Sequence, residues 1–377
     1  METAQTKIVA RPTVWLGAYS PGALALPAAE PTPSQLYAPR GVYLDDDLLV
    51  VADSGNHRVL IWHGVPTSDQ QPANVVLGQP DFYSEGPNAG GRGPELGMHL
   101  PTGVGVYEGC LFVADAWHHR VLVWNTIPQS SATRPDLVLG QPNLHDVIEN
   151  RGGACNEHGL YWPYGINYIA GWFYITDTGN RRVLGWQGLP APDQPPDLIL
   201  GQPDGHERQE NRGGDIGPTS FRWPHDAAGD TNLLLIADAG NHRVLGWSPH
   251  PTADQPANLV LGQTDFQSGG EFPYVAQGPQ RLRFPYTLAY EDGLLAVADT
   301  ANNRILLWNS VPTTGAYHPA DAVLGQPDFD GNGENRWKMV DRDTICWPYG
   351  IHLHQRQLAI ADSGNNRVML WAITHNY

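Results

Sequence analysis

The stretch VADSGNHRVLIW, residues 51–62, decides how the rest of the chain is read. Five further versions follow it: VADAWHHRVLVW (113–124), ITDTGNRRVLGW (175–186), IADAGNHRVLGW (236–247), VADTANNRILLW (297–308) and IADSGNNRVMLW (360–371). Their aspartates, Asp53, Asp115, Asp177, Asp238, Asp299 and Asp362, stand 62, 62, 61, 61 and 63 residues apart. A fixed period carried by short β-branched runs marks an array or a propeller.

Each unit repeats one order of pieces. A short apolar segment after proline, such as PRGVYL (39–44), leads to LLVVAD (48–53), the turn SGN, HRVLIW (57–62), a Pro-rich link and NVVLGQPDF (74–82). β-Branched runs punctuated by Gly, Pro, Asn and Asp predict four strands per unit, and four antiparallel strands make a propeller blade. The sixth unit ends at VMLWAITHNY without a VLGQPDF strand, whereas TVWLGAYS (13–20) precedes the first unit. Leu16-Gly17 lies 61 residues before Leu77-Gly78, so the first strand is expected to complete the last blade and close the ring.

Composition agrees with an all-β protein. The 42 glycines and 33 prolines favour turns over long helices. A formal charge of −17, from 39 acidic and 22 basic residues, repels phosphate backbones and anionic lipid, which argues against nucleic acid and membrane surfaces as partners. Three cysteines, Cys110, Cys155 and Cys346, offer no disulfide framework. The amino-terminal segment has no apolar signal region and no stretch reaches transmembrane length, so a cytoplasmic location is expected.

VADSGNHRVLIW and its relatives resemble NHL repeats, the six-bladed β-propeller family, from Thr13 to Trp371. The LVLGQPDF-type strand followed by NRGG (150–153 and 211–214) is similar to bacterial NHL-repeat proteins in particular. The resemblance implies one propeller domain over 1–377, with 13–20 as the outer strand of the last blade. Its blades are expected over 36–82, 98–144, 161–204, 222–266, 283–329 and 346–371. It implies no single activity, because such propellers include protein- and RNA-binding modules, a metal-dependent lyase and calcium-dependent hydrolases.

Residues shared by all six copies are expected to hold the ring. Asp53 and Arg58, five residues apart in every copy, suit a bidentate pair that locks the turn. The Gly of SGN suits a positive φ, and the strand tryptophans (Trp62, Trp124, Trp186, Trp247, Trp308, Trp371) suit the wedge between sheets. Residues that differ between copies are the functional candidates. After the proline that opens each innermost strand stand Arg40, Thr102, Tyr164, His225, Tyr286 and Tyr349, expected around the mouth of the central channel. The next position is Gly in four blades but Asp226 and Thr287 in two, where a side chain asks for a reason.

His225 and Asp226 are therefore the candidate acid/base pair, with Arg40 for an anionic group and the tyrosines shaping the pocket. A divalent metal would draw on His225, Asp226, His99 and His352. The competing reading is that the tyrosines plug a narrow channel and His225 bonds to a neighbour. Trp117, which replaces the turn glycine in the second copy, is a candidate contact for a small molecule or protein. No P-loop, GxGxxG, GxSxG or HExxH motif occurs, and DGNGEN (330–335) lacks calcium-loop spacing. The leading expectation is a binding or scaffold protein; the alternative is a lyase or hydrolase with its site at the channel mouth.

Overall fold

A computed structural model describes residues 7–24, 26 and 30–376. Six antiparallel sheets form the blades, each beginning with an innermost strand next to the central axis. Blade one is Gly41–Leu44, Leu48–Asp53, Arg58–His63 and Val75–Leu77, and blades two to five repeat that order. Blade four carries a short additional strand, Gly315–Ala316, paired parallel to the outer edge of Leu259–Leu261. Blade six takes its outer strand from the other end of the chain: Lys7–Gly17 pairs with Arg367–Asn376, from Lys7 opposite Asn376 to Gly17 opposite Arg367. The closing strand thus begins six residues earlier and ends three residues sooner than TVWLGAYS predicts. Among the described residues no helix is long and apolar enough to cross a membrane.

The core lies between blades. Trp62 packs with Val42 and Leu60 of its own sheet and with Ala359, Val368 and Leu370 of blade six. Trp124 likewise meets Val50, Val59 and Leu77 of blade one. The strand tryptophans therefore fill the wedges as expected, and the indole N–H of Trp62 reaches the Gln71 carbonyl of the link at 2.9 Å.

The repeated Asp and Arg do more than pair. Arg58 is fully buried, and its Nε donates to Asp53 Oδ2 at 2.7 Å. The contact is one-pronged rather than bidentate, because the two terminal nitrogens go elsewhere. Nη1 donates to the Phe82 carbonyl at 2.6 Å, and Nη2 to those of Thr32 and Gln35 at 2.9 and 3.0 Å. One guanidinium therefore ties the link entering the blade to the link leaving it. Arg182 does the same through Gly205, Asn156 and Gly159. Asp53 in turn accepts from the Asn56 side chain and from the Tyr37 backbone N–H. In blade six, Arg367 Nη1 has no hydrogen-bond partner among the described residues, and the guanidinium lies 4.1 Å from the ring of Trp15 on the closing strand.

The turn glycine serves a purpose other than the one expected. Gly55 lies in a single 3₁₀ turn, and the left-handed residue is His57, with φ 53°. Gly55 is small because Tyr37 lies against it: a Cβ there would come within 2.6 Å of the Tyr37 ring and carbonyl. His119, Arg181, His242, Asn303 and Asn366 occupy the same left-handed position in the other blades.

Removing one partner of a buried, fully bonded pair leaves the other charged and desolvated. Arg182→Leu is therefore expected to lower the free energy of unfolding by about 3–5 kcal/mol, read by urea denaturation. A loss under about 1 kcal/mol, the scale of an exposed pair, would show that the guanidinium does not hold the links.

Candidate functional site

The innermost strands run so close together that most of them need glycine. A Cβ on Gly41 would lie 1.9 Å from the Thr102 carbonyl oxygen, and one on Gly350 would lie 2.0 Å from that of Arg40. Asp226 departs from this pattern by using its side chain as the link between blades. Its Oδ2 accepts from Leu288 N–H of blade five at 2.9 Å, and Gly165 of blade three leaves room for its Oδ1. The carboxylate is buried, and burial pushes its pKa up to about 7 against the hydrogen bonds that it accepts. Thr287, the other departure, lines the same channel cavity of about 170 Å³, and its hydroxyl has no partner among the described residues.

One layer above, the structure brings together five of the six residues that follow proline. His225 lies between Tyr164 and Tyr286, with ring centroids 4.5 and 4.3 Å away, and Tyr286 meets Tyr349 at 4.7 Å. Arg40 donates to the Tyr164 hydroxyl, and its guanidinium sits 5.0 Å from the Tyr349 ring centroid. No carboxylate among the described residues lies within ion-pair distance of Arg40. Thr102 is the exception in the layer: it is buried and its hydroxyl donates to the Tyr164 carbonyl at 3.0 Å.

His225 is held in one form. Its Nδ1 lies 2.9 Å from the Trp223 carbonyl, which accepts only from an N–H, so the proton sits on Nδ1 and Nε2 is left as an acceptor. Burial pulls its pKa down to about 4; the Trp223 carbonyl opposes that and Arg40 adds to it. At neutral pH this layer therefore offers one cation, Arg40, with a neutral imidazole.

The mouth above the layer is walled by Trp117, already a candidate from the sequence, and by residues that the sequence did not single out. A cavity of about 230 Å³ is bounded by Trp117, Tyr161, Trp162, Trp223 and Arg181, with Arg40, Tyr164, His225 and Tyr286 beneath. Trp117 packs against Trp162, centroids 5.3 Å apart, and remains 43% exposed. The shape of this wall follows from one substitution. In five blades the residue before proline, Ala38, Leu100, Trp162, Phe284 or Trp347, has a left-handed backbone with φ 45–50°. Its N–H donates to a side chain of the preceding blade: Leu100 to His57 Nδ1 at 3.1 Å, Trp162 to His119 Nδ1 at 3.2 Å and Trp347 to Asn303 Oδ1 at 2.9 Å. Blade three has Arg181 at the donor's target, and a guanidinium accepts nothing. Trp223 N–H turns to Asp238 Oδ1 at 3.4 Å instead, and Trp223 does not share the positive φ. The signal was in the alignment of the copies: an Arg among His and Asn, and an aromatic before proline in four blades.

The proposed metal set does not assemble. His99 lies outside the channel beside Trp117 and His118, with its backbone N–H on Asp115. His352 accepts from Leu44 N–H and packs on Tyr43, while Asp226 is engaged with Leu288. Among the described residues, no three His, Cys, Asp or Glu side chains are placed to hold a metal ion.

Residues 36–62 match the NHL repeat family. The chain carries an NHL repeat in the first blade of a six-bladed propeller. It resembles solved structures in fold only. An auxiliary nutrient-binding protein from Bacteroides thetaiotaomicron is 11% identical, with a TM-score of 0.54 over 99% of this chain and 78% of that one. Virginiamycin B lyase from Staphylococcus aureus is also 11% identical, with a TM-score of 0.45 over 98% of this chain and 99% of that one. No curated protein matches this chain significantly in sequence.

The raised pKa of Asp226 has a defined consequence for stability. The carboxyl goes from 3.8 to about 7 on folding, so the folded state holds the proton more tightly. Its contribution is fully present below pH 3.8 and falls as pH rises to about 7. Asp226→Asn keeps an acceptor for Leu288 and removes that dependence. The variant should match the parent near pH 4 and exceed it at pH 8 by on the order of 2–4 kcal/mol, measured by denaturation at each pH. A constant difference across the range would mean that the carboxyl does not titrate there.

Proposed function

We propose that this propeller is a binding protein that takes a small anionic ligand with a planar apolar part into the mouth of its channel. The observation that carries the reading is Arg40: a half-buried guanidinium at the floor of the mouth, set among aromatic rings, with no carboxylate partner among the described residues. An arginine of this kind is ready to receive a carboxylate or phosphate, and its fork favours a planar, two-oxygen group. The walls supply flat apolar surface from Trp117, Trp162 and Trp223, and Nε2 of His225 accepts from a ligand donor. At about 230 Å³ the space falls below the ~300–1,000 Å³ common for drug-sized ligands, which favours a compact one.

The alternative is a lyase or hydrolase using His225 and Asp226. Binding is favoured because His225, with a pKa near 4, is a weak base at neutral pH, and Asp226 is occupied by Leu288. A cytoplasmic location and a protein partner on the same face belong to this proposal as well.

Benzoate, phenyl phosphate and the neutral benzamide make a direct test, followed by tryptophan fluorescence and calorimetry. Both anions should bind, benzamide at least about tenfold more weakly, and Arg40→Met should cost the anions about tenfold or more. Equal binding of benzoate and benzamide, or anion binding unchanged by Arg40→Met, would overturn the reading.

A further inference from the structure

The loop before blade six contains a residue in the wrong place for its backbone. Four links share one turn, written Asn88-Ala89-Gly90, Asn150-Arg151-Gly152, Asn211-Arg212-Gly213 and Asn335-Arg336-Trp337. The third residue is left-handed in every case: φ is 71°, 77° and 75° for the glycines and 57° for Trp337. A tryptophan there is strained where glycine is not. It is also 79% exposed, so no burial of its ring offsets the strain. The indole lies across Gly333, where a Cβ would come within 2.4 Å of it, so DGNGEN serves as a seat for this ring.

Trp337 forms one side of an open groove of about 510 Å³, with Trp347, Phe272, Phe284 and Tyr286 as further walls. The charged groups in it are unequal. Arg283 is already compensated by Glu271, Nε to Oε2, at 2.8 Å. Glu334 has no basic partner among the described residues and accepts only from the Trp347 indole N–H at 2.8 Å. The sister carboxylate Glu210 is shared by Arg181 and Arg222 at 3.5 and 3.3 Å. Neither base has a counterpart here: Asn303 of blade five stands where Arg181 does in blade three, and Cys346 stands where Arg222 does. Lys338, next to Trp337, does not line the groove.

Rings around an uncompensated carboxylate are complementary to an organic cation, whose charge is drawn to the faces of tryptophan, tyrosine and phenylalanine. We infer that this groove binds an alkylammonium group, free or methylated, against Trp337 and Trp347 with Glu334 as its counter-charge. The inference stands apart from the anion site at Arg40, although Tyr286 borders both.

Choline and its neutral isostere 3,3-dimethylbutan-1-ol test it, with the intact protein followed by ligand-observed NMR and tryptophan fluorescence. Trp337→Gly installs the residue of the sister loops, so the fold should persist with an unchanged or higher melting temperature. Choline should bind saturably, and the alcohol at least about tenfold more weakly. Trp337→Gly and Glu334→Gln should each lower choline affinity about tenfold. Three results would overturn the inference: no saturable choline binding, equal binding of the alcohol, or a folded Trp337→Gly protein with unchanged affinity.

Discussion

Every blade depends on a guanidinium that water never reaches. Arg58 and its counterparts are wholly buried, each neutralised by one aspartate oxygen through Nε. An isolated buried charge is costly, and so are backbone carbonyls left without donors. The arrangement resolves both costs at once, because the charge supplies the links with the donors they lack. That is why long links, rich in proline and poor in regular structure, pack as reliably as strands. In blade six, Trp15 of the closing strand covers the guanidinium.

Much of this was legible in the letters. The period, the four pieces per unit and the displaced first strand led to six blades and to their closure, because each repeat must satisfy the same packing needs. The mechanism of the turn was less legible. Gly55 and His57 are adjacent to the same bend, and only coordinates separate a glycine kept for close contact with Tyr37 from a residue that carries the positive φ. The Asp–Arg spacing likewise predicted a pair, but not that the arginine spends most of its donors on links more than twenty residues away.

The candidate site was half visible. Arg40, Tyr164, His225, Tyr286 and Tyr349 converge because they share one register on neighbouring strands, which the repeat alignment supplies. Thr102 and Asp226 share the neighbourhood but turn to backbone groups of the next blade, and a register alone does not give side-chain direction. The walls of the mouth were harder still. They depend on Arg181 being unable to accept a hydrogen bond that His and Asn accept elsewhere, a consequence felt at Trp223 in the following blade. Departures from a repeat thus act at a distance of one blade, and the site is built from them.

The central claim is that the aromatic mouth above Arg40 is a place where an anion comes to rest. Crystals soaked in 4-bromobenzoate would test it most directly, because the bromine is located by anomalous scattering. The account predicts a bromine peak among Trp117, Trp162 and Trp223, with the carboxylate within hydrogen-bond distance of the Arg40 guanidinium. An empty mouth at saturating ligand, or a carboxylate turned outward with the ring against Arg40, would contradict it.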